Sequence, residues 1–184
     1  MLEEPEQNIE INFKGGFNLK KLHHLIDKLI LSLIGRSFTI LTDTEPIIKR
    51  ELAYLPDEFT AAFAVEEGAP SIIVKKENNR FKYFGYHYEP NNIDLRLYFK
   101  DEEFAYEVLG AKEGIRQAFS EHKIILEGDL EYAVSLIYIF EVVEAYIMSE
   151  KFSEKIIGYK FKRNISRLQL IIRALFLYRE KGEI

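Results

Sequence analysis

From residue 59 the apolar residues change from helical spacing to the pattern of β-strands, most clearly in 93–100, where they recur with a period of two. Short turns rich in Gly, Pro and Asn divide this region into four runs, 59–66, 71–76, 81–88 and 93–99. Because strands joined by short turns pair antiparallel, the pattern predicts one sheet. In the last run alternate residues are apolar, so one side of that sheet is expected to face the protein core.

Before these strands the apolar residues follow helical spacing. Asn18 is a suitable N-cap for a helix over 18–34, and Gly35 is expected to end it. Pro46 is expected to open a short helix that ends before Pro56.

After the strands, Asp101 is predicted to cap a helix that reaches Leu109, and a second short helix covers about 113–120. A fifth strand follows, with Ile124 and Leu126 on one side. Gly128-Asp129 then permits a tight exit from that strand and caps a long helix that runs to about 148. A last helix is predicted over 164–178.

The helices over 130–148 and 164–178 carry more apolar surface than packing against one face of a sheet requires. A helix lying on one face of a sheet requires an apolar arc of roughly 100°, and here the polar residues form only a narrow stripe. Each large side chain left in water forgoes about 1.5–3 kcal/mol. The excess is therefore expected to be buried in a thick core, in a dimer interface or against an apolar ligand.

A family resemblance covers residues 59–148, about half of the chain. An alternating strand, an Asp-capped helix, an Ala-Phe pair, a Lys-containing strand, Gly-Asp and an apolar helix follow one another in this order, near the spacing of the sterol carrier protein type 2 family. The matching residues are Leu95, Leu97, Asp101, Phe104, Leu109, Gly110, Lys112, Ala118, Phe119, Lys123, Ile124, Leu126, Gly128, Asp129, Ala133 and Leu136. The chain departs from the pattern at Ala111, which separates Gly110 from Lys112, and at His122, where the family often has Gly.

This resemblance implies an α+β fold, with a five-stranded, mostly antiparallel sheet covered by helices and an apolar tunnel between sheet and helices. It also implies a function without catalysis, the non-covalent binding and carriage of a lipid-like hydrophobic ligand such as a fatty acid or an acyl derivative. The side chains expected to line the tunnel are Leu95, Leu97, Phe104, Val108, Phe119, Ile124, Leu126, Leu136, Phe140, Leu170 and Phe176.

The length of 184 residues favours a single domain. We expect residues 1–57 to form a helical N-terminal extension packed on the family-like core of 59–148, and 164–180 to form a closing helix. The absence of Cys excludes disulfides and thiolate chemistry. The acidic first residues differ from secretory or transit peptides, and Glu141 and Glu144 interrupt the most apolar segment, so we expect a cytoplasmic protein that spans no membrane.

Charge is distributed unevenly along the chain. The net charge of −5 combines +7 over residues 155–182 with −12 elsewhere. The basic region is expected to dock on the acidic body of the protein, or to touch an anionic membrane surface transiently. Nucleic-acid binding is not expected, because the acidic remainder would repel phosphate.

No motif for catalysis, for a cofactor or for a metal is recognisable. The adjacent His23 and His24 diverge on a helix, and His87 and His122 lack motif partners. Glu141 and Glu144, at i and i+3, are the one carboxylate pair to consider, and we expect them to lie on a solvated stripe. We therefore predict no enzyme, no cofactor and no metal.

Two other hypotheses remain open. The apolar helices could bury against a twin or a partner protein, which would make the chain an oligomerisation or scaffold module. A lipid-modifying enzyme would need a polar group aimed into the cavity, for which Glu141 or His122 are the candidates.

Overall fold

The computed structural model describes residues 19–86, 88, 90–158 and 162–177. For residues 19–25, 27, 156 and 157 it describes the backbone alone. The expected N-cap at Asn18, the end of the last helix at 178 and His87 lie outside the described residues.

The five predicted strands form one mixed, mostly antiparallel sheet. They are β1 (Thr60–Ala64), β2 (Ile72–Glu77), β3 (Arg80–Gly85), β4 (Leu95–Phe99) and β5 (Ile124–Gly128), in the order β3-β2-β1-β4-β5. Three of the four pairings are antiparallel, but the central strands β1 and β4 run parallel. The expectation that short turns alone set the pairing is therefore wrong for β4, which crosses over to lie beside β1 instead of pairing with β3.

The helices are α1 (Leu19–Thr44), α2 (Pro46–Leu52), α3 (Glu102–Leu109), α4 (Ile115–Ser120), α5 (Leu130–Ile147), α6 (Glu150–Ile157) and α7 (Arg167–Ile172), and a π-helical turn over Arg173–Leu177 extends α7. The α+β class is thus confirmed, although α6 was not predicted. The division of the chain at residues 57 and 148 stays a prediction.

Local capping chemistry explains where α3, α5 and α7 begin. Asp101 accepts a hydrogen bond from the backbone N–H of Phe104 at 3.1 Å, and Asp129 accepts one from that of Glu131 at 2.8 Å. Gly128, with φ of +129°, has the backbone freedom that the exit from β5 requires. Gly-Asp is therefore an architectural turn, as the sequence indicated, and Ser166 begins α7 with a complete capping box.

The prediction that α1 ends at Gly35 is wrong, because the helix continues to Thr44. Gly35 lies under the ring of Tyr83 on β3, where an added Cβ would come within 2.4 Å of Tyr83 Cδ2. The glycine therefore serves close packing of α1 on the sheet, and the helix tolerates its lower propensity because of that contact.

The core lies between one face of the sheet and the helices α1 and α5. Its centre is aromatic: the Phe140 ring of α5 lies 5.6 Å from that of Phe38 on α1 and 5.3 Å from that of Phe63 on β1. Phe38 also meets Phe81 of β3 edge-on at 5.5 Å. These edge contacts are a favourable geometry for aromatic rings, and they fill the centre of the layer.

Candidate ligand-binding site

Helix α5 is surrounded by other elements, which accounts for its apolar surface. It packs against α1, α2, α4, α6 and α7. Most of its polar stripe is covered as well: Ser135, Glu141 and Glu144 are only 3–8% exposed, whereas Glu131 at the start of the helix is exposed. The expectation that Glu141 and Glu144 are solvated is therefore wrong. The sequence could not reveal this, because the short helix α4 that covers them packs there through contacts distant in sequence.

Between the sheet and the helices the described side chains leave a cavity of about 10 Å³. That space holds about one water-sized sphere, so an acyl chain requires these side chains to move. The tunnel stays a prediction. The cavity is lined by Leu31, Phe63, Ala64, Leu97, Tyr98, Phe99, Ile115, Ile124 and Phe140.

The structure brings together three of the eleven predicted lining residues at this cavity, namely Leu97, Ile124 and Phe140. Four more are buried in the surrounding core: Leu95, Val108, Leu136 and Leu170. Phe104, Phe119 and Leu126 are partly buried against that core. Phe176 lies apart from them, 77% exposed on the π-helical turn. The role of these residues in binding stays a prediction.

A larger space, of about 380 Å³, opens on the outer side of α4 and is termed the outer cleft below. Helix α5 contributes one wall, with Val134, Ile137 and Tyr138 at i, i+3 and i+4, which places them on one side of the helix. The outer cleft is lined by Arg50 and Glu51 of α2, Arg116 and Phe119 of α4, and Val134, Ile137 and Tyr138 of α5. Its volume lies within the range of small-molecule pockets, roughly 300–1,000 Å³.

Two arginines and Glu51 line the outer cleft together with apolar and aromatic side chains. The side chains of Arg50 and Arg116 are 62% and 55% exposed. Arg116 Nη2 lies 3.1 Å from Glu141 Oε1, whose carboxylate is almost fully buried. Burial raises the pKa of Glu141, and the charge of Arg116 opposes that shift. Arg50 donates from Nε and Nη2 to Glu51 Oε1, at 3.3 Å each. Each guanidinium keeps further N–H groups to donate, so the arrangement suits an elongated apolar molecule with an anionic end.

Glu144 attaches α4 to α5 beneath the outer cleft. Its Oε2 accepts a hydrogen bond from the backbone N–H of Ile115 at 3.0 Å. Burial, assisted by the neighbouring Glu141, raises the pKa of Glu144 to about 8, although the Ile115 hydrogen bond acts in the opposite direction. Near neutral pH this carboxyl is therefore mostly protonated, which lowers the cost of keeping it in the core.

The other end of α4 is held by charged side chains. Lys123 Nζ lies 2.7 Å from Glu113 Oε2 and 2.9 Å from Glu121 Oε2, so ion pairs bracket the helix. Their hydrogen bonds raise the pKa of Lys123 above its usual value. Helix α4 is thus a short element that separates the cavity from the outer cleft: Ile115 lines the cavity and the next residue, Arg116, lines the cleft.

The sequence reading missed most of the outer cleft. Val134, Ile137 and Tyr138 carried a signal, since their helical spacing marks one side of α5. Arg50 and Arg116 carried none, because they join the cleft only when α2 and α4 dock against α5. Within the described ranges, no three His, Asp or Glu side chains are grouped as a metal ion requires. Among the helices described, none combines the length and apolar character needed to cross a bilayer.

His122 is the other polar residue considered for chemistry. It is exposed in the turn before β5, with φ of +58°. It does not line the cavity or the outer cleft. Its left-handed backbone is the conformation that favours glycine, which is the residue that the family pattern often has at this position.

Comparison with known proteins found no matching family model and no matching curated protein. Among solved structures, a UbiJ-SCP2 ubiquinone synthesis protein aligns over 73% of this chain and 97% of its own, with 14% identity and a TM-score of 0.42. The structural neighbours include sterol carrier protein 2 domains. One from Helicoverpa armigera has 17% identity, coverage of 70% and 90%, and a TM-score of 0.39. The apo form of the Yarrowia lipolytica protein has 15% identity, coverage of 61% and 88%, and a TM-score of 0.39.

Proposed function

We propose that this protein binds a single-chain, lipid-like amphiphile non-covalently in the outer cleft, as a carrier or reservoir and without catalysis. The observation that carries this proposal is the outer cleft itself, which is lined by apolar and aromatic side chains together with two exposed arginines. A fatty acid or an acyl derivative has the matching chemistry. The sequence resemblance to the sterol carrier protein type 2 family points to the same ligand class.

Most of the binding free energy would come from the chain of the ligand. Each methylene group removed from water contributes about 0.8 kcal/mol, so a few buried methylenes reach a millimolar dissociation constant before the head group adds anything. The arginines would select an anionic end and fix its direction. Since Arg116 is engaged by Glu141 through one nitrogen, its remaining donors are the ones a carboxylate would take.

Displacement of α4 would lengthen the site. This helix has fewer than two turns, and the cavity lies directly behind it. Outward movement of Ile115 would join the cavity to the outer cleft, and the joined space would reach the predicted residues Leu97, Ile124 and Phe140. The tunnel would then belong to the ligand-bound state.

The experiment is a titration of the purified protein with a fluorescent fatty acid, combined with native mass spectrometry for a co-purifying lipid. Val134→Trp should fill the outer cleft and weaken binding at least tenfold. Leu130→Trp is the matched control, because Leu130 is 60% exposed one turn earlier on α5 and does not line the cleft. Equal binding by the two variants, or a protein that is empty and ignores the probe, would rule out this site.

The head-group preference has its own test. Arg116→Gln should weaken binding of the fatty acid about fivefold and leave that of the fatty alcohol of equal length unchanged. Arg96→Gln is the control, since Arg96 is also half-exposed and lies near a carboxylate, that of Glu127. A cytoplasmic location belongs to the proposal and is tested by fractionation of the source cells.

A further inference from the structure

Most of the exposed large apolar side chains lie on α1 and on the C-terminal helical segment, which contact one another. Nine large apolar residues are exposed among those described, and six of them lie on α1, on α7 and on the π-helical turn. This surface is termed the α1/α7 face: Ile26, Leu29, Leu168, Ile172, Leu175 and Phe176. The three others are Tyr54, in the turn after α2, and Leu130 and Val134, on α5; the outer cleft accounts for Val134.

The position of α7 against the body of the protein is fixed by hydrogen bonds from both ends. Asn164 Nδ2 donates to the carbonyl of Thr44 at 3.2 Å, and Arg36 Nη1 donates to the carbonyl of Ala174 at 3.1 Å. These contacts show that the C-terminal segment runs antiparallel to α1. The π-helical turn therefore extends toward the turns of α1 that carry Ile26 and Leu29.

The two sides of α7 differ sharply. Leu170 and Ala174 are completely buried against the body, whereas Leu168 is 66% exposed. Leu168, Ile172 and Leu175, at i, i+4 and i+7, form one outward stripe. The exposed apolar residues are thus the outer side of a docked helix. Contiguous apolar surface of this kind marks an interaction site.

The segments that form the α1/α7 face are basic, although the protein is acidic. Residues 155–182 carry +7 of a net charge of −5, and Arg173 of this segment is exposed beside the apolar stripe. Over 19–29 helix α1 carries Lys20, Lys21 and Lys28 against one acidic residue, Asp27. Lys28 and Arg173 are thus exposed basic side chains on the elements that carry the apolar stripe, in a protein whose net charge is negative.

This charge distribution discriminates between partners. A two-fold dimer through the α1/α7 face would bring the basic side chains of two copies together, which is unfavourable. Negatively charged lipid head groups attract these basic side chains, and the acyl region just below the head groups accepts the apolar stripe. They also repel the acidic remainder, which orients the protein with this face toward the lipid.

We propose that the α1/α7 face binds an anionic membrane surface peripherally, with Leu168 and Phe176 entering the interface and Arg173 contacting head groups. The inference does not depend on the outer cleft. A vesicle that takes up the protein through this face would be a source or a destination for a carried lipid.

Flotation of the full chain with lipid vesicles tests the proposal. The protein should bind vesicles of phosphatidylcholine mixed with phosphatidylglycerol, remain free from vesicles of phosphatidylcholine alone, and dissociate from the mixed vesicles as salt is added. Phe176→Ser should lower the partition coefficient on mixed vesicles about tenfold. Leu130→Ser, which removes another exposed apolar side chain (60% exposed) on α5, should leave it unchanged.

Arg173→Glu tests the role of the basic side chains. It should weaken binding to the mixed vesicles about tenfold or more, since each basic residue near the surface contributes about fivefold. Lys100→Glu makes the same change in net charge at an exposed position between β4 and α3 and should have a smaller effect. Equal binding to neutral and anionic vesicles would overturn the proposal, as would equal effects of Phe176→Ser and Leu130→Ser. A dimer in light scattering that Phe176→Ser dissociates would overturn it in favour of a twin.

Discussion

The side chain of Glu144 accepts a hydrogen bond from the backbone N–H of Ile115, so a carboxyl from the middle of α5 holds the first residue of α4. Burial raises the pKa of this carboxyl to about 8 in the folded protein. Arg116 and Glu141 lie in the same contact between the two helices, at 3.1 Å from one another. The element that separates the cavity from the outer cleft is therefore attached through a group that titrates close to neutral pH.

Stability should fall as pH rises through this range. The folded pKa of Glu144 lies above its ordinary value of 4.5, so between pH 4.5 and about 8 the folded state binds more protons than the unfolded state. The free energy of unfolding therefore decreases with pH over that interval, by an amount on the order of 2–4 kcal/mol. Glu144→Gln keeps an acceptor for Ile115 N–H and should remove this part of the slope, as measured by urea denaturation at several pH values.

The control for this experiment is Glu103→Gln, which neutralises an exposed carboxylate on α3. It should leave the slope of stability against pH as it is in the natural protein. Parallel curves for the natural protein and Glu144→Gln would contradict the assignment.

Gly35→Ala should destabilise the protein by about 1–3 kcal/mol, because the new methyl group would overlap the ring of Tyr83. In a Tyr83→Val background the same substitution should become neutral or stabilising, since Ala is the better helix former. Thermal or urea unfolding of the four proteins in this double-mutant cycle measures the coupling. Equal costs of Gly35→Ala in both backgrounds would mean that Tyr83 is not the obstacle.

Ala111→Gly and His122→Gly should each stabilise the protein by about 0.5–1 kcal/mol. Ala111 and His122 have φ of +60° and +58°, a region that costs residues with a Cβ about 1–2 kcal/mol, part of which the greater flexibility of unfolded Gly offsets. Ala53→Gly is the control, since Ala53 is exposed with an ordinary φ of −66° and should lose stability on substitution. Melting temperatures of the three variants distinguish the conformational effect from a general effect of glycine.

Phe140→Ala should enlarge the cavity between the sheet and the helices and destabilise the protein by about 3–5 kcal/mol. An apolar cavity of that size stays dry and accepts small apolar molecules, so benzene should raise the melting temperature of the variant and not that of the natural protein. Phe140→Leu, with a smaller loss of volume, keeps the test available if the first variant is too unstable. A benzene response in Phe176→Ala, where the side chain is exposed, would show that the effect does not come from the cavity.

Features decided by neighbours in sequence were predictable. Asp101 and Asp129 act on N–H groups three and two residues away, so their spacing was sufficient to assign them. The strands could be recognised because their flanking turn residues and, in β4, a period of two are local patterns. The burial of α5 on several sides could not be predicted, because α2 and α4 pack against it from distant parts of the chain.

Two predictions were wrong because each depended on a contact between residues that are distant in sequence. Gly35 has the chemistry of a helix stop, but its role is decided by Tyr83 across the core. The stripe with Glu141 has the composition of a solvated surface, but Arg116 covers it from α4. In each case the contact joins residues that are far apart in sequence but adjacent in the folded protein.

The parallel ladder between β1 and β4 divides the sheet into two parts that are each continuous in sequence. The three strands β1 to β3 form by local hairpins, and β4, α3, α4 and β5 form a second neighbouring set. Local pairings close quickly, whereas a junction between remote segments has to bring together the ends of a long loop. We therefore expect the rate of folding to be limited by formation of the β1–β4 ladder, which joins two substructures that have already formed.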